Sequence, residues 1–500
     1  MTAKTLMIQG TGSSVGKSIL VAALCRIFKQ DGISVAPYKS QNMSLNSFVT
    51  RDGGEMGRAQ VVQAEAAGIE PSVDMNPILL KPEADARSQV VLLGKPDKTL
   101  PANQYYLHTP RLLQVAQGSL DRLRSQYDLV LIEGAGSPAE INLKAQEIVN
   151  MRIAKIAEAP VLLVGDIDKG GVFASLVGTL ALLDDEERGY VKGFIINKFR
   201  GDISLLKPGL DQLEQITSLP VVGVIPYYKH IFIDEEDSVR HQEHTNAPEI
   251  DIAVIYHPHI SNSTDFEPLQ REEGVRIRYV KRAKELGQPD VIILPGSKST
   301  ISDLSHIRGN GLAEAIINRA RENTSILGIC GGFQMLGKHI DDPKHTESDK
   351  DSVPGLGLLD VVTKFEPSKT TWQVKAKAVS QKGIFSSLYG DEIDGYEIHM
   401  GQTLGTQTIP AFKILQRGNQ YADYLDGAVD DSGTVMGTYL HGLFENDSLR
   451  HAFLGELRSR KGLDATGQRF SFAKDDEYDL LADHVRQGLN MNLVRQICRL

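Results

Sequence analysis

The chain is poor in cysteine and in tryptophan, and it has no long apolar run. Three cysteines in 500 residues, Cys25, Cys330 and Cys498, are too few and too scattered for a disulfide framework. They suit a reducing compartment. The least polar long stretch, residues 170–183, has 14 residues broken by Ser and Thr, too short to span a bilayer. The first residues run straight into an apolar, strand-like segment with no secretory h-region. The expectation is a soluble cytoplasmic protein. Basic residues are also in deficit, with 54 Lys and Arg against 64 Asp and Glu and a formal net charge of −10. That argues against a nucleic-acid or membrane partner. The deficit is local: residues 1–233 carry 24 basic and 24 acidic residues, whereas 234–500 carry 30 and 40.

What remains is ordinary globular composition, 41% hydrophobic and 24% charged, which excludes disorder, collagen and coiled coil. Length alone suggests roughly three domains. Short apolar runs bounded by Gly, Pro or Asp occur at 6–9, 33–36, 129–132, 161–164, 194–196 and 221–225, with helix-length patterns between most of them. A second series lies at 252–256, 291–294, 326–329 and 435–440. Continuous apolar runs alternating with helices predict parallel sheets covered on both faces. The expected class is therefore α/β, with two doubly wound, mostly parallel-sheet domains at 1–233 and 251–447. The polar stretch 234–250 reads as a linker and 448–500 as a helical C-terminal extension. Residues 48–119 give no readable pattern.

Residues Gly10-Thr11-Gly12-Ser13-Ser14-Val15-Gly16-Lys17-Ser18 follow the first strand and open a helix. Small residues let backbone N–H groups turn around phosphate oxygens, and the helix N-terminus adds partial positive charge. Lys17 can reach the β- and γ-phosphates of ATP, and the Ser18 hydroxyl can ligate Mg2+. Nucleotide contacts are expected from Thr11, Gly12, Ser13, Gly16, Lys17 and Ser18. The spacing is one residue longer than the common phosphate-loop pattern. Glu133 ends a strand before a Gly-rich turn, which suits a second Mg2+ ligand. Asp166, Asp168 and Lys169 end another strand. Capping and function weigh about evenly for Asp168, and Lys169 leans towards a phosphate or substrate. Asn197, at a fourth strand end, is a further nucleotide contact.

In the second half, Cys330 follows an apolar strand and precedes Gly331-Gly332. That is the pattern of a nucleophile elbow, in which a sharp turn exposes the thiol at a helix N-terminus. The Gly331 N–H and the turn at Gly296-Ser297 can face a developing oxyanion, and Gln334 lies in the same pocket. His441, at the end of a later strand, is the expected general base. His399, beside Glu397, competes with it. Cys25 and Cys498 lie in helical apolar patterns and read as buried structural residues.

These residues carry a resemblance. The Gly328-x-Cys330-x-Gly332-x-Gln334 pattern resembles the class I glutamine amidotransferases. The lengthened phosphate loop and Glu133-Gly-Ala-Gly136 resemble dethiobiotin synthetase and its P-loop NTPase-like relatives. Most class I enzymes place Glu two residues after the catalytic His; here that position is Leu443. The expectation is a Cys–His dyad, oriented by a backbone carbonyl. That departure, with Tyr396-Glu-Ile-His-Met-Gly401, resembles the corrinoid-amidating branch. Residues 38–46, 55–60, 75–82 and 166–171 resemble the enzymes of that branch that act after the a,c-diamide. The resemblance implies ATP- and glutamine-dependent amidation of the b, d, e and g carboxylates of adenosylcobyrinic acid a,c-diamide. It also implies Mg2+, an acyl phosphate and ammonia released from L-glutamine. Lys39, Arg58, Lys81, Arg87 and Arg200 are candidates to meet the corrinoid, with surface solvation the plainer account of most. Two alternatives stand: the sister synthase that makes the a,c-diamide, and a non-catalytic P-loop regulatory ATPase.

Overall fold

Valine-, isoleucine- and leucine-rich runs need both faces covered, and two parallel sheets supply the surfaces on which helices do this. The computed structural model describes residues 2–83, 87–228, 248–405, 408–465 and 473–500. The first sheet is all parallel, in the order Val221–Pro226, Val191–Phe199, Val161–Asp166, Lys4–Gly10, Leu129–Glu133, Val35–Tyr38. Its middle strand, Lys4–Gly10, lies between strands that come much later in the chain. The carboxyl ends of these strands therefore gather at one crevice, where ligands of such sheets bind. The second sheet runs Val275–Val280, Ile250–Ile255, Val291–Leu294, Ser325–Ile329, Val435–Thr438, Ala428–Val429, with only the last pair antiparallel.

Further sheets add to the two strand series expected from the sequence. The stretch 48–119 holds part of a four-stranded sheet (Gln41–Met43, Ile78–Glu83, Arg87–Leu92 and Lys95–Pro101) and of a hairpin, Ser47–Val49 with Glu55–Gly57. A seven-stranded sheet is built on the long antiparallel pair Val361–Ala378 and Glu392–Gly405. The run at 435–440 is split. Val435–Thr438 stays in the parallel sheet, while Leu440–His441 pairs with Tyr396 and Glu397.

The C-terminal extension is two structures. The helix Asp447–Arg460 packs Phe453, Leu454 and Leu457 into the core of the second sheet. It is anchored by the fully buried Arg450, whose Nε lies 2.6 Å from Glu272. The helices Lys474–Gly488 and Met491–Cys498 return to the first sheet. There Tyr478, Leu481, Val485, Val494 and Cys498 share a core with Leu24, Ile27 and Phe28 of the helix Lys17–Gln30. Arg26 fixes the return by ion pairs of 2.7 and 2.6 Å to Asp475 and Asp479. Cys25 and Cys498 lie in this apolar cluster, and burial pushes the Cys498 thiol up to about 12. The linker expected at 234–250 lies outside the described residues except for its last three. Among the described residues no helix is long and apolar enough to cross a membrane.

Leu481 is fully buried while its neighbour Leu480 is 54% exposed. Leu481→Ala is expected to destabilise the protein by about 2–5 kcal/mol and Leu480→Ala by less than about 0.5 kcal/mol. The difference is read from denaturant midpoints of the two variants.

Candidate functional site

Two sites emerge, one at the crevice of the first sheet and one at the elbow after Ser325–Ile329. At the crevice, the strand Lys4–Gly10 passes through the loop 11–16 into the helix Lys17–Gln30. Gly16 has φ +98°, and a Cβ there would lie 2.2 Å from Asn197 Nδ2. Only glycine fits, and Asn197 is held against the loop by donating to Val15 O at 2.8 Å. Asn197 is buried, and its Oδ1 has no hydrogen-bond partner among the described residues. Such an acceptor calls for a donor from a ligand or water. Lys17 Nζ donates to Gly12 O (2.8 Å) and Gly136 O (3.1 Å), spanning the loop. Thr11 and Gly12 are half-buried beside it and Ser13 is exposed.

Ser18 Oγ donates to Glu133 Oε1 at 2.8 Å. The Glu133 carboxylate also meets Lys39 Nζ at 3.0 Å and Gln63 Nε2 at 2.5 Å. Burial favours its protonated form, yet Lys39, Gln63 and Ser18 together hold it below the usual carboxylate range. A hydroxyl and an ionised carboxylate in contact at a phosphate loop are the oxygen donors that Mg2+ takes alongside phosphate and water. The residues present fit that ion. Asp166 pairs with Lys198 at 3.0 Å and accepts from the Asp168 N–H at 2.9 Å. Lys198 Nζ donates to Ser14 O at 2.6 Å. Asp168 is exposed and pairs with Arg200 at 2.8 Å, and Lys169 is exposed in the turn that follows.

At the elbow, Cys330 has φ +52° and ψ −108°. This is a strained conformation for a side chain of this kind, and such strain concentrates at functional sites. It turns the strand into the helix Gly331–Leu336 within one residue. Gly332 makes the turn possible, because a Cβ there would stand 1.9 Å from Leu294 O. A Cβ on Gly331 would lie 2.7 Å from Ser297 N, so the two backbones that were expected to donate to an oxyanion are adjacent. The Ser297 hydroxyl is tied back to Asp303 Oδ2 at 2.6 Å. Gln334 lies in the pocket with its amide engaged, accepting from Thr300 Oγ1 (3.1 Å) and donating to Tyr439 OH (3.3 Å). Gly296 approaches the imidazole, its hypothetical Cβ 3.1 Å from His441 Cε1.

His441 is 1% exposed, and its Nδ1 lies 2.6 Å from Asp265 Oδ2. Asp265 Oδ1 accepts the Gly442 N–H at 3.0 Å, which sets the plane of the carboxylate. Burial alone would lower the imidazole pKa. The Asp265 charge and hydrogen bond, with a further hydrogen bond to Cys330, outweigh burial and raise it to about 10. The expected dyad oriented by a backbone carbonyl is therefore corrected to a Cys330–His441–Asp265 arrangement. Asp265 lies 176 residues before His441 in a polar stretch. No strand end, glycine turn or spacing marked it in the sequence. His399 faces the same cavity, but its Nδ1 bonds to Gly401 O at 2.7 Å and its ring stacks on Tyr439. Glu397 is held by Tyr424 and Arg417.

The thiol and His441 line a cavity of about 1020 Å³ whose far wall includes Lys81, Arg87 and Gln89 from the first half of the chain. Of the basic residues considered for the corrinoid, Lys39, Arg58 and Lys81 are buried rather than solvated. They pair with Glu133, Glu445 and Glu55 respectively. A surface with a matching counter-ion is an interior, which the sequence cannot distinguish from solvent. Arg87 is exposed at the cavity and Arg200 covers Tyr227.

Comparison with known proteins finds a domain model for each half of the chain. A nucleotide-binding domain model, described as CobQ/CobB/MinD/ParA, matches residues 6–239. A CobB/CobQ-like glutamine amidotransferase domain model matches residues 251–449. The cobyric acid synthase of Dehalococcoides mccartyi (strain CBDB1) is 57% identical over 498 residues, covering 99% of each chain. That of Sorangium cellulosum (strain So ce56) is 52% identical over 516 residues, again 99% of each. That of Moorella thermoacetica (strain ATCC 39073 / JCM 9320) is 52% identical over 502 residues, covering 99% of this chain and 97% of the relative. With a phosphate-loop crevice in one half and a thiol–imidazole–carboxylate pocket in the other, the chain belongs to the family of cobyric acid synthases, ATP-dependent glutamine amidotransferases.

Proposed function

We propose that the protein converts adenosylcobyrinic acid a,c-diamide into adenosylcobyric acid in the cytoplasm, amidating the b, d, e and g carboxylates with ammonia drawn from L-glutamine. The observation that carries this reading is the Cys330–His441–Asp265 arrangement, opening on a cavity whose far wall belongs to the nucleotide-binding half. His441 takes the proton of the Cys330 thiol, and Sγ attacks the carboxamide carbon of glutamine. The Gly331 and Ser297 backbone N–H groups stabilise the oxyanion. His441 gives its proton to the departing nitrogen, so that ammonia leaves and a thioester remains. Water, deprotonated by His441, then releases glutamate. Asp265 keeps the imidazole oriented and stabilises the imidazolium each time it forms.

A carboxylate has no leaving group, so the second half-reaction must create one. In the first half of the chain, a corrinoid carboxylate oxygen attacks the γ-phosphorus of ATP, and the bond to the bridging oxygen breaks to give ADP. Lys17 follows the transferring phosphoryl. Ser18 and Glu133 would hold Mg2+, which when bound offsets the phosphate charge. Ammonia then attacks the acyl phosphate carbon and phosphate leaves. Asn197 Oδ1 supplies an acceptor beside the loop, and Asp166, Asp168 and Lys169 border the same crevice.

Cys330→Ala is expected to abolish amidation from glutamine while sparing amidation from an ammonium salt. Lys17→Met should abolish both, because it removes the activation step. Persistence of glutamine-dependent amidation in Cys330→Ala would remove the thiol from the mechanism. The His441 imidazolium, held to about pH 10 by Asp265, should sustain glutaminase activity through neutral pH and release it as pH rises through that range. Asp265→Asn removes the charge that raises the pKa, so the alkaline limb should move towards the ordinary histidine value, with a loss of about 10²-fold or more in kcat. An unmoved limb would separate Asp265 from the imidazole. Mass spectrometry of corrinoid products formed with ATP, magnesium and glutamine should show four amides added to the a,c-diamide. Amidation of cobyrinic acid with the a,c-diamide left untouched would instead assign the sister activity.

A further inference from the structure

The catalytic imidazole of the second half is braced by a segment of the first. Three successive residues do this. Asn46 Oδ1 accepts from the Ser263 N–H (2.9 Å) and from Ser263 Oγ (3.3 Å). The Ser47 N–H donates to Asn262 Oδ1 at 3.1 Å. Phe48 packs on Tyr396 with ring centroids 5.3 Å apart, and Tyr396 in turn stacks on His441, also at 5.3 Å and with the rings 17° from parallel.

Asn262 and Ser263 begin the short turn that presents Asp265. Asn262 has φ +54°, in the left-handed region that asparagine enters at some cost. Its carbonyl accepts the Asp265 N–H at 3.0 Å, and its Nδ2 donates to Tyr396 OH at 3.3 Å. Asn262 is thus tied at its side-chain oxygen to Ser47, at its amide nitrogen to Tyr396 and at its backbone to Asp265. Both partners that set the geometry of His441, the carboxylate on Nδ1 and the ring on its face, are therefore backed by residues 46–48. Phe48 also joins Val49, Tyr396 and Ile398 in a small apolar cluster shared between the halves. The Ile398 carbonyl in turn accepts from Cys330 Sγ at 3.3 Å.

The same segment leads back to the phosphate site. Ser47–Val49 pairs with Glu55–Gly57, and that strand runs directly into the helix Arg58–Ala67. This helix carries Gln60 and Gln63, whose amides reach Glu133 Oε2 at 3.4 and 2.5 Å. Asn42, four residues before Asn46, donates to Gln60 Oε1 at 3.0 Å.

We propose that residues 46–48, with Asn46 the central contact, are a positioning element for the Asp265–His441 pair, so that glutamine hydrolysis is competent only when the nucleotide-binding half is docked against the glutaminase half. The inference rests on the reading of Cys330 as the glutaminase nucleophile. Asn46 touches no reacting group; it acts through the turn at Asn262–Asp265. Fixing that turn sets the direction of the carboxylate, and a misplacement of about 1 Å at such a position is worth about 10²-fold in rate. The part of Asn46 that matters is an acceptor oxygen, which aspartate also offers and alanine does not.

The test uses the full chain and two assays, glutamate release from glutamine and corrinoid amidation from an ammonium salt. Asn46→Ala is expected to lower the glutaminase kcat by about 10-fold or more with little change in the KM for glutamine, while ammonium-supported amidation holds within about twofold. Asn46→Asp should recover most of the lost kcat. An unchanged kcat in Asn46→Ala overturns the proposal. So does equal impairment of Asn46→Asp, or a parallel fall in ammonium-supported amidation, which marks a general loss of structure. Should the wild type form no corrinoid amide from either nitrogen source, the corrinoid reading fails, and the glutaminase kcat values still decide the role of Asn46.

Discussion

A buried imidazole gives up its charge unless a carboxylate holds it, and here Asp265 does so from 2.6 Å, with both side chains buried. The contact orders much of what surrounds it. Leu440–His441 leaves the parallel sheet to pair with the strand that carries Tyr396, bringing the ring under the tyrosine. Gly442 turns with φ +73° and aims its N–H at the second carboxylate oxygen. The strained elbow at Cys330 then sets the thiol in the cavity that His441 also lines. With each of these displaced, an ionised histidine in this interior would cost more than its neighbours return.

The phosphate crevice is built on the same economy of charge. Glu133 is 1% exposed, and it remains a carboxylate because Lys39 lies 3.0 Å away and Ser18, Gln60 and Gln63 all donate to it. Lys39, Gln60 and Gln63 come from segments whose sequence suggests nothing of a phosphate site. Across the interface, Glu55 lies between Lys81 of its own half and Lys369 of the other, at 2.6 and 2.5 Å. One buried carboxylate thus ties the two halves together beside the cavity that Cys330 opens into. A chain with an acidic excess in its second half still lines that cavity with lysines from both halves.

Covalent continuity reinforces the docking. The chain crosses from the first half to the second and then returns, laying Lys474–Gly488 and Met491–Cys498 over the helix that begins at the phosphate loop. Leu489 bridges to Gly223 at the edge of the first sheet. The glutaminase half is in effect inserted between two pieces of the nucleotide-binding core, so the surfaces at residues 46–48 and at Asn262–Asp265 meet at high effective concentration.

Much of this protein is determined locally and can be read from its residues in order. The parallel strands follow from apolar runs ended by glycine and aspartate. The phosphate loop follows from small residues before Gly16-Lys17-Ser18, and the elbow from the Gly331-Gly332 pair directly after Cys330. In each case the physical cause lies within about ten residues of its effect. Asp265 is different, because its role is created by a contact 176 residues away in sequence. The burial of Lys39, Arg58 and Lys81, the splitting of the C-terminal helices between two cores, and the bracing of His441 through Asn262 and Tyr396 are of the same kind. A charged residue looks alike in a sequence whether it meets water or a counter-ion brought by another element. Only the packing of the two halves decides which, since the free energy of a buried charge belongs to the pair and not to either residue.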